Sequence, residues 1–176
     1  ERGLPNAMEV MREARPREMA ALIRRLPTQN RIQLVRDVAF YRWRYRNPLA
    51  DYRFVFFAPK RRLEGFLTLQ VPTDATSAHM NVVEWEGTTV TAKALVLEAA
   101  MGWGDAESLG VWSTCFSPDE LTILTRLRFN LLDDEHARSH GVHCPRVLVH
   151  PGRAPFRLDY EDLPGWQIPG VASNAF

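Results

Sequence analysis

The sequence predicts one α/β (α+β) domain of about seven strands and about four helices, and three observations carry this. Segments in which apolar residues alternate with period two are interleaved with segments of period 3.6. Pro, Gly and Asn punctuate the joins between them. The composition of the 176 residues, 45% hydrophobic with 10% aromatic and 24% charged, is that of a globular core rather than of a disordered or membrane chain. At this length a single domain buries well over half of its unfolded surface. One domain over residues 1–176 is therefore expected, with a Pro/Gly-rich irregular tail from Leu163 to Phe176.

The elements follow in order. Ala7–Arg12 alternates as a half-buried strand does. Pro16 suits a first helical turn, and Met19, Leu22, Ile23 and Leu26 give the apolar stripe of a helix that stops at Pro27. A second helix is expected from Gln29 to Arg46, ended by Asn47-Pro48. Tyr52–Ala58 and Leu63–Val71, joined by the turn Pro59-Lys60-Arg61-Arg62, read as a hairpin. His79–Trp85 is a fourth strand, and Ala92, Leu95, Val96 and Ala99 line a third helix that ends near Gly102 and Gly104. Val111–Phe116 is the fifth strand, which makes a βαβ crossover. Ser117 as N-cap, Pro118 as first helical residue, and Asp119 and Glu120 in the first turn start a short fourth helix carrying Leu121, Leu124 and Leu127. Phe129–Leu132 and Arg146–His150 are read as the last two strands.

Composition also excludes classes of function. Two cysteines, Cys115 and Cys144, do not make a disulfide framework, so a reducing, cytoplasmic setting is expected. The N-terminal residues hold no apolar signal region, and no run of about 18 apolar residues suggests a membrane span. Net charge is +1, yet residues 1–75 carry 15 Lys and Arg against 8 acids, while residues 76–176 carry 7 against 13. That asymmetry reads either as two solvated faces or as a field that steers an anion.

The element order is that of the GNAT superfamily of N-acyltransferases, and a more specific likeness lies in Asp37–Pro48 (DVAFYRWRYRNP) ahead of Tyr52-Arg53-Phe54. This run resembles the Phe-x-Trp-Arg-Tyr segment, with a proline soon after, of a poorly characterised bacterial GNAT subgroup. The resemblance covers roughly Met8 to Pro151. It implies a mixed, mostly antiparallel twisted sheet splayed between the fourth and fifth strands, where the pantetheine arm of acyl-CoA or of a carrier protein would enter. It also implies acyl transfer to an amine of a sugar or small metabolite, with no metal.

In that superfamily an R-x-x-G-x-G/A loop binds the pyrophosphate through backbone amides at a helix N-terminus, where donors are unpaired and the dipole is positive. The matching segment here is Trp85 and Glu86 followed by Gly87, Thr88, Thr89, Val90, Thr91, Ala92 and Lys93, with one glycine, no arginine and only Lys93 as a cation. Glu84 and Glu86 stand two apart at the end of the fourth strand and so share a face if the strand is regular. Either they supply the general base, with burial and mutual repulsion raising a pKa, or they face solvent and the arginines of the first half. The superfamily's helix-four tyrosine acid lies about four residues before a Gly-Phe pair; Arg128-Phe129 takes that place, and Leu124 stands where the tyrosine belongs. Trp43 and Tyr45 border the acceptor site that the resemblance implies, or they pack the second helix.

Other constellations weigh less. His136, His140, His143 and Cys144 have metal-like spacing but sit among Asp133, Asp134, Glu135 and Arg138, as a solvated loop does. Cys115 with His79 could form an acyl-enzyme, but a thiol inside VWSTCF reads as buried and inert. The aromatic and basic run from Arg42 to Phe57 resembles a nucleic-acid surface, which alternation and near-neutral charge oppose. The expectation is an acyl-CoA-dependent N-acyltransferase with a small-molecule amine acceptor, no nucleic acid or membrane partner, and a homodimer or partner domain left open. The alternative is a catalytically silent GNAT-like module that binds an acyl thioester or a protein within a larger enzyme.

Overall fold

The computed structural model describes residues 7–27, 32–48, 50–71, 79–103, 108–111, 116–130 and 166–167. Within them the order is β1 (Met8–Met11), α1 (Pro16–Ile23), β2 (Ile32–Gln33), α2 (Val38–Arg44), β3 (Asp51–Phe57), a 3-10 turn (Pro59–Arg61), β4 (Gly65–Val71), β5 (His79–Gly87), α3 (Val90–Gly102), β6 (Ser108–Val111), α4 (Pro118–Arg126) and β7 (Trp166–Gln167). A five-stranded mixed sheet runs β1-β3-β4-β5-β6. Its first three ladders are antiparallel, and β5–β6 is parallel, as the crossover through α3 requires. β2 and β7 form a separate parallel pair. Among the described residues no helix is long and apolar enough to cross a membrane.

Among the described residues the sheet thus has five strands rather than about seven, and for the strand expected at Phe129 the reason is visible after α4. Phe129 N donates to Leu124 O and Arg128 N to Thr125 O, with Arg128 at φ 63°. These are the two bonds of a Schellman close, so Phe129 is spent on ending a helix instead of starting a strand. Arg146–His150 lies outside the described residues. The fifth strand is Ser108–Val111, earlier than the expected Val111–Phe116, and pairs from His79↔Ser108 to Val82↔Val111. Residues 112–115 lie outside the described set.

The helix expected over Gln29–Arg46 is confined to Val38–Arg44. Asp37, with extended backbone, accepts a hydrogen bond from Phe40 N at 2.8 Å, and this cap fixes the start. The first helix likewise ends at Ile23, and Arg25 N→Leu22 O and Leu26 N→Ile23 O tighten the chain into turns before Pro27.

Each sheet face carries its own core. Tyr52, Phe54, Phe56 and Phe66 pack with Met19, Leu22 and Tyr41 of α1 and α2. Val55, Leu67 and Leu69 pack with Val96 and Leu97 of α3 and Ile123 and Leu124 of α4. The alternation along β3 is what sorts the two sets. Burying each large side chain stabilises the fold by roughly 1.5–3 kcal/mol. α3 lies close to the sheet because its sheet-side residues are small and two paired glycines sit beneath its start. A Cβ on Gly65 would stand 3.1 Å from Ala92 O, and one on Gly87 3.0 Å from Lys93 N.

Candidate functional site

A register shift in β5 shapes the centre of the molecule. Thr68 pairs with Glu84 while Leu69 pairs with Val82, so Val83 is the extra residue of a β-bulge. From Glu84 onward the ladder is regular, and Glu84 and Glu86 point the same way, toward α2. Both are buried, with Glu84 at 2% and Glu86 at 5% exposure. Arg36, on the stretch before α2, reaches both carboxylates with Nη1, at 3.0 Å from Glu84 Oε1 and in closer contact with Glu86 Oε1. Tyr41 Oη donates to Glu84 Oε1 at 2.7 Å, and Tyr45 Oη donates to Glu84 Oε2 at 2.7 Å. Thr68 Oγ1 lies 3.3 Å from the same Tyr45 oxygen.

Burial pushes the Glu84 carboxyl up, and so does the Glu86 charge; Arg36 and the two tyrosine hydrogen bonds pull it down, and the balance leaves it raised. Burial and then the Glu84 charge drive both tyrosine hydroxyls far up, so they remain neutral donors. Burial works against the Arg36 charge, but Glu86 and Glu84 outweigh it and hold the guanidinium protonated. Burial thus favours the protonated form of Glu84 and the neutral form of both tyrosines.

The network continues past the strand end. Glu86 Oε2 lies 3.8 Å from Lys93 Nζ, and Lys93 is bound to Glu120. Glu120 in turn accepts from Ser117 N at 2.7 Å in a capping box that starts α4. Two cations, Arg36 and Lys93, thus meet three carboxylates, Glu84, Glu86 and Glu120, and one proton would make the group neutral. Removing one partner from a buried ion pair of this kind costs on the order of 3–5 kcal/mol.

The β5–α3 turn is short. Thr88 N donates to Glu64 O at 2.9 Å and Thr88 Oγ1 to Glu64 Oε2 at 2.5 Å. Thr89 caps the helix by accepting from Ala92 N at 3.0 Å, and its carbonyl accepts from Lys93 N. The Val90 and Thr91 amides belong to the first turn, whose donors have no partner within the helix. Gly87 is held by the close approach of Lys93 and Ala92 rather than by clearance for a phosphate. Trp85 points to the α3 side, donating Nε1 to Lys93 O at 2.8 Å, with Phe116 edge-on at 5.4 Å.

Of the residues singled out in the sequence, Glu84, Glu86 and Tyr45 are brought together. Lys93 joins them at one remove, through Glu86, and its ammonium faces carboxylates. Trp43 is 60% exposed on α2 and stands apart. His79 pairs with Ser108 Oγ at 2.8 Å, whereas Cys115, His136, His140, His143 and Cys144 lie outside the described residues. Among the described residues no group of three or more His, Cys, Asp or Glu is arranged to hold a metal.

Sequence reasoning missed Arg36, Tyr41, Thr68 and Glu120. Two signals could have found the first pair: Asp37 before Val38 is an N-cap pattern that leaves Arg36 outside the helix, and Tyr41 and Tyr45 are four apart on one helix face.

The fold and site together define a mixed α/β protein with a buried carboxylate–tyrosine–arginine cluster at the centre of its sheet. The chain matches no family model and no curated protein. Among solved structures it is similar to the crystal structure of TTHA1254 from Thermus thermophilus, at 17% identity over 84% of this chain and 99% of that one, with a TM-score of 0.36. A point mutant of that protein gives 15% identity over 85% and 99%, with a TM-score of 0.35. Likeness at this level bears on neither fold nor function.

Proposed function

We propose that the chain is a GNAT-type N-acyltransferase that moves an acetyl or other acyl group from CoA, or from carrier-protein pantetheine, to an amine of a sugar or small metabolite. The observation that carries the reading is Glu84, a carboxylate of raised proton affinity buried on β5, the strand that leads into the α3 turn. Acyl transfer needs such a group: an amine arrives as an ammonium, and its lone pair attacks the thioester carbon only after a base has taken a proton. The α3 first turn would hold the donor's pyrophosphate through the Val90 and Thr91 amides. The sheet order, antiparallel through β5 and then parallel to β6, supports the reading; β5 and β6 pair from His79↔Ser108 to Val82↔Val111, and residues 112–115 lie outside the described set.

Acetyl-CoA at millimolar concentration raises the melting temperature on this reading, and Val90→Asp with Thr91→Pro abolishes the rise. An unchanged melting temperature for the parent protein overturns it.

A second reading, a silent module that binds an acyl thioester or a protein partner, is favoured by two observations. Lys93 is engaged by Glu120 and Glu86, and Leu124, 7% exposed, fills the place of a helix-four tyrosine. Thermal stabilisation by acetyl-CoA without turnover of any amine would select it.

A further inference from the structure

We infer that Ser108 and His79 form a nucleophile–base pair that takes an acyl group from an activated ester or thioester, at a place apart from Glu84 and independently of the acyl-transfer reading above. Parallel pairing sets the first residue of β5 opposite the first residue of β6, His79↔Ser108. Ser108 Oγ lies 2.8 Å from His79 Nδ1, and this hydrogen bond, like both residues, is exposed. A reactant therefore meets the hydroxyl and its base at the surface, without entering the core. Glu84 lies toward the other end of β5, beyond the bulge at Val83.

The two strands bring more than this pair together. Met80 and Val82 of β5 and Leu109 and Val111 of β6 pack on the α3 side, so His79, Asn81, Ser108 and Gly110 share the opposite face. A Cβ on Gly110 would stand 2.8 Å from His79 Nε2 and 2.9 Å from Asn81 Oδ1. Glycine at this position lets the imidazole lie against the strand with Nδ1 turned to Ser108. The Asn81 carbonyl, brought to the same point, is an acceptor beside Nε2. It favours the tautomer that carries its proton on Nε2 and leaves Nδ1 to accept from the hydroxyl. A nucleophile in reach of a base that a third group orients is the arrangement that activates a serine.

The step balances with water as the co-reactant. The Ser108 hydroxyl gives its proton to His79 Nδ1 as Oγ bonds to the acyl carbon. The bond from that carbon to sulfur or to the phenolic oxygen breaks, and the leaving group takes the proton from His79. Water then attacks the acyl-serine through the same base, releasing a carboxylic acid and restoring the hydroxyl. With a base as the chief assistance, the substrate is one whose leaving group departs readily, a thioester or aryl ester rather than an amide.

The test is labelling of the intact protein with a fluorophosphonate, which traps an activated serine as a stable phosphonyl ester, read by peptide mass spectrometry beside hydrolysis of p-nitrophenyl acetate. The parent is labelled at Ser108. Ser108→Ala loses that label and lowers hydrolysis by about 10² or more. His79→Ala slows labelling of Ser108 by a similar factor, and imidazole added to the buffer restores it, a rescue that a purely structural role would not give. Asn81→Ala slows labelling of the parent but leaves the imidazole-rescued rate of His79→Ala unchanged, because it acts through the ring. A parent unlabelled at Ser108, labelling undiminished in His79→Ala, or Ser108→Ala hydrolysing the ester at the parental rate overturns the pair. Should a variant fail to fold, the parent decides: a phosphonyl group on Ser108 supports the pair, and its absence contradicts it.

Discussion

The Lys93 ammonium is bound to the Glu120 carboxylate, which ties the first turn of α3 to the first turn of α4. Burial works to raise the Glu120 carboxyl, but the Lys93 charge and hydrogen bond and the Ser117 donors outweigh it and leave the pKa lowered. Glu120→Gln keeps a side chain able to complete the capping box and leaves Lys93 with Glu86 alone, 3.8 Å away. Loss of the charged hydrogen bond costs about 1.5–3 kcal/mol. A group depressed in the folded state stabilises above its ordinary value of 4.5, and that stabilisation is lost as pH falls through the folded pKa. Melting curves should therefore show the parent losing its advantage over Glu120→Gln in that acid window. If the α3 turn binds a pyrophosphate, a Lys93 that keeps only the longer Glu86 contact also tightens acetyl-CoA binding, which titration calorimetry measures.

Glu84 has the opposite sign. Its folded pKa is raised above the ordinary 4.5, so the folded state holds a proton that the unfolded state has released. The contribution is complete below 4.5 and is lost as pH rises through the folded value. Thermal melts across this range should show the parent falling relative to Glu84→Gln as pH increases. Parallel curves would mean that Glu84 titrates as it does in the unfolded chain.

Gly87→Ala tests how closely α3 sits on the sheet. The new Cβ would meet Lys93 N at 3.0 Å and Lys93 Cγ at 2.9 Å, and the backbone contact cannot be relieved by a rotamer. Overpacking of this kind costs roughly 1–3 kcal/mol. Chemical denaturation reads the loss, and an unchanged midpoint would show that the first turn of α3 shifts freely.

Arg128 holds φ 63°, a conformation that disfavours any residue with a Cβ. Glycine carries no such penalty. Arg128→Gly should stabilise the protein by about 1 kcal/mol, seen as a higher melting temperature. A lower one would mean that the arginine side chain contributes more than its backbone costs.

What the sequence made legible follows from the range of the interactions. The start of α4 was readable because Ser117, Pro118 and Glu120 act on one another within three residues. The hairpin of β3 and β4 was readable from alternation, and the shared face of Glu84 and Glu86 from a regular strand end. The long second helix was misread because its apolar period continued upstream of Asp37, whose capping bond is a local competitor of that period. The Arg36–Glu84 contact spans 48 residues of chain, and the bulge at Val83 depends on how β4 pairs with β5. Neither leaves a mark in local periodicity, so Glu84, Glu86 and Tyr45 could be named while their joining to Arg36 could not.

The most direct measurement is the pH dependence of kcat/KM for acetyl-CoA with an accepted amine, compared between the parent and Glu84→Gln. With Glu84 as the proton acceptor, the parent shows an ascending limb and the mutant loses about 10²–10⁴ in rate together with that limb, while acetyl-CoA still raises its melting temperature. A mutant that turns over at nearly the parental rate with the same ascending limb contradicts it, and Glu84 would then be only the buried partner of Arg36, Tyr41 and Tyr45.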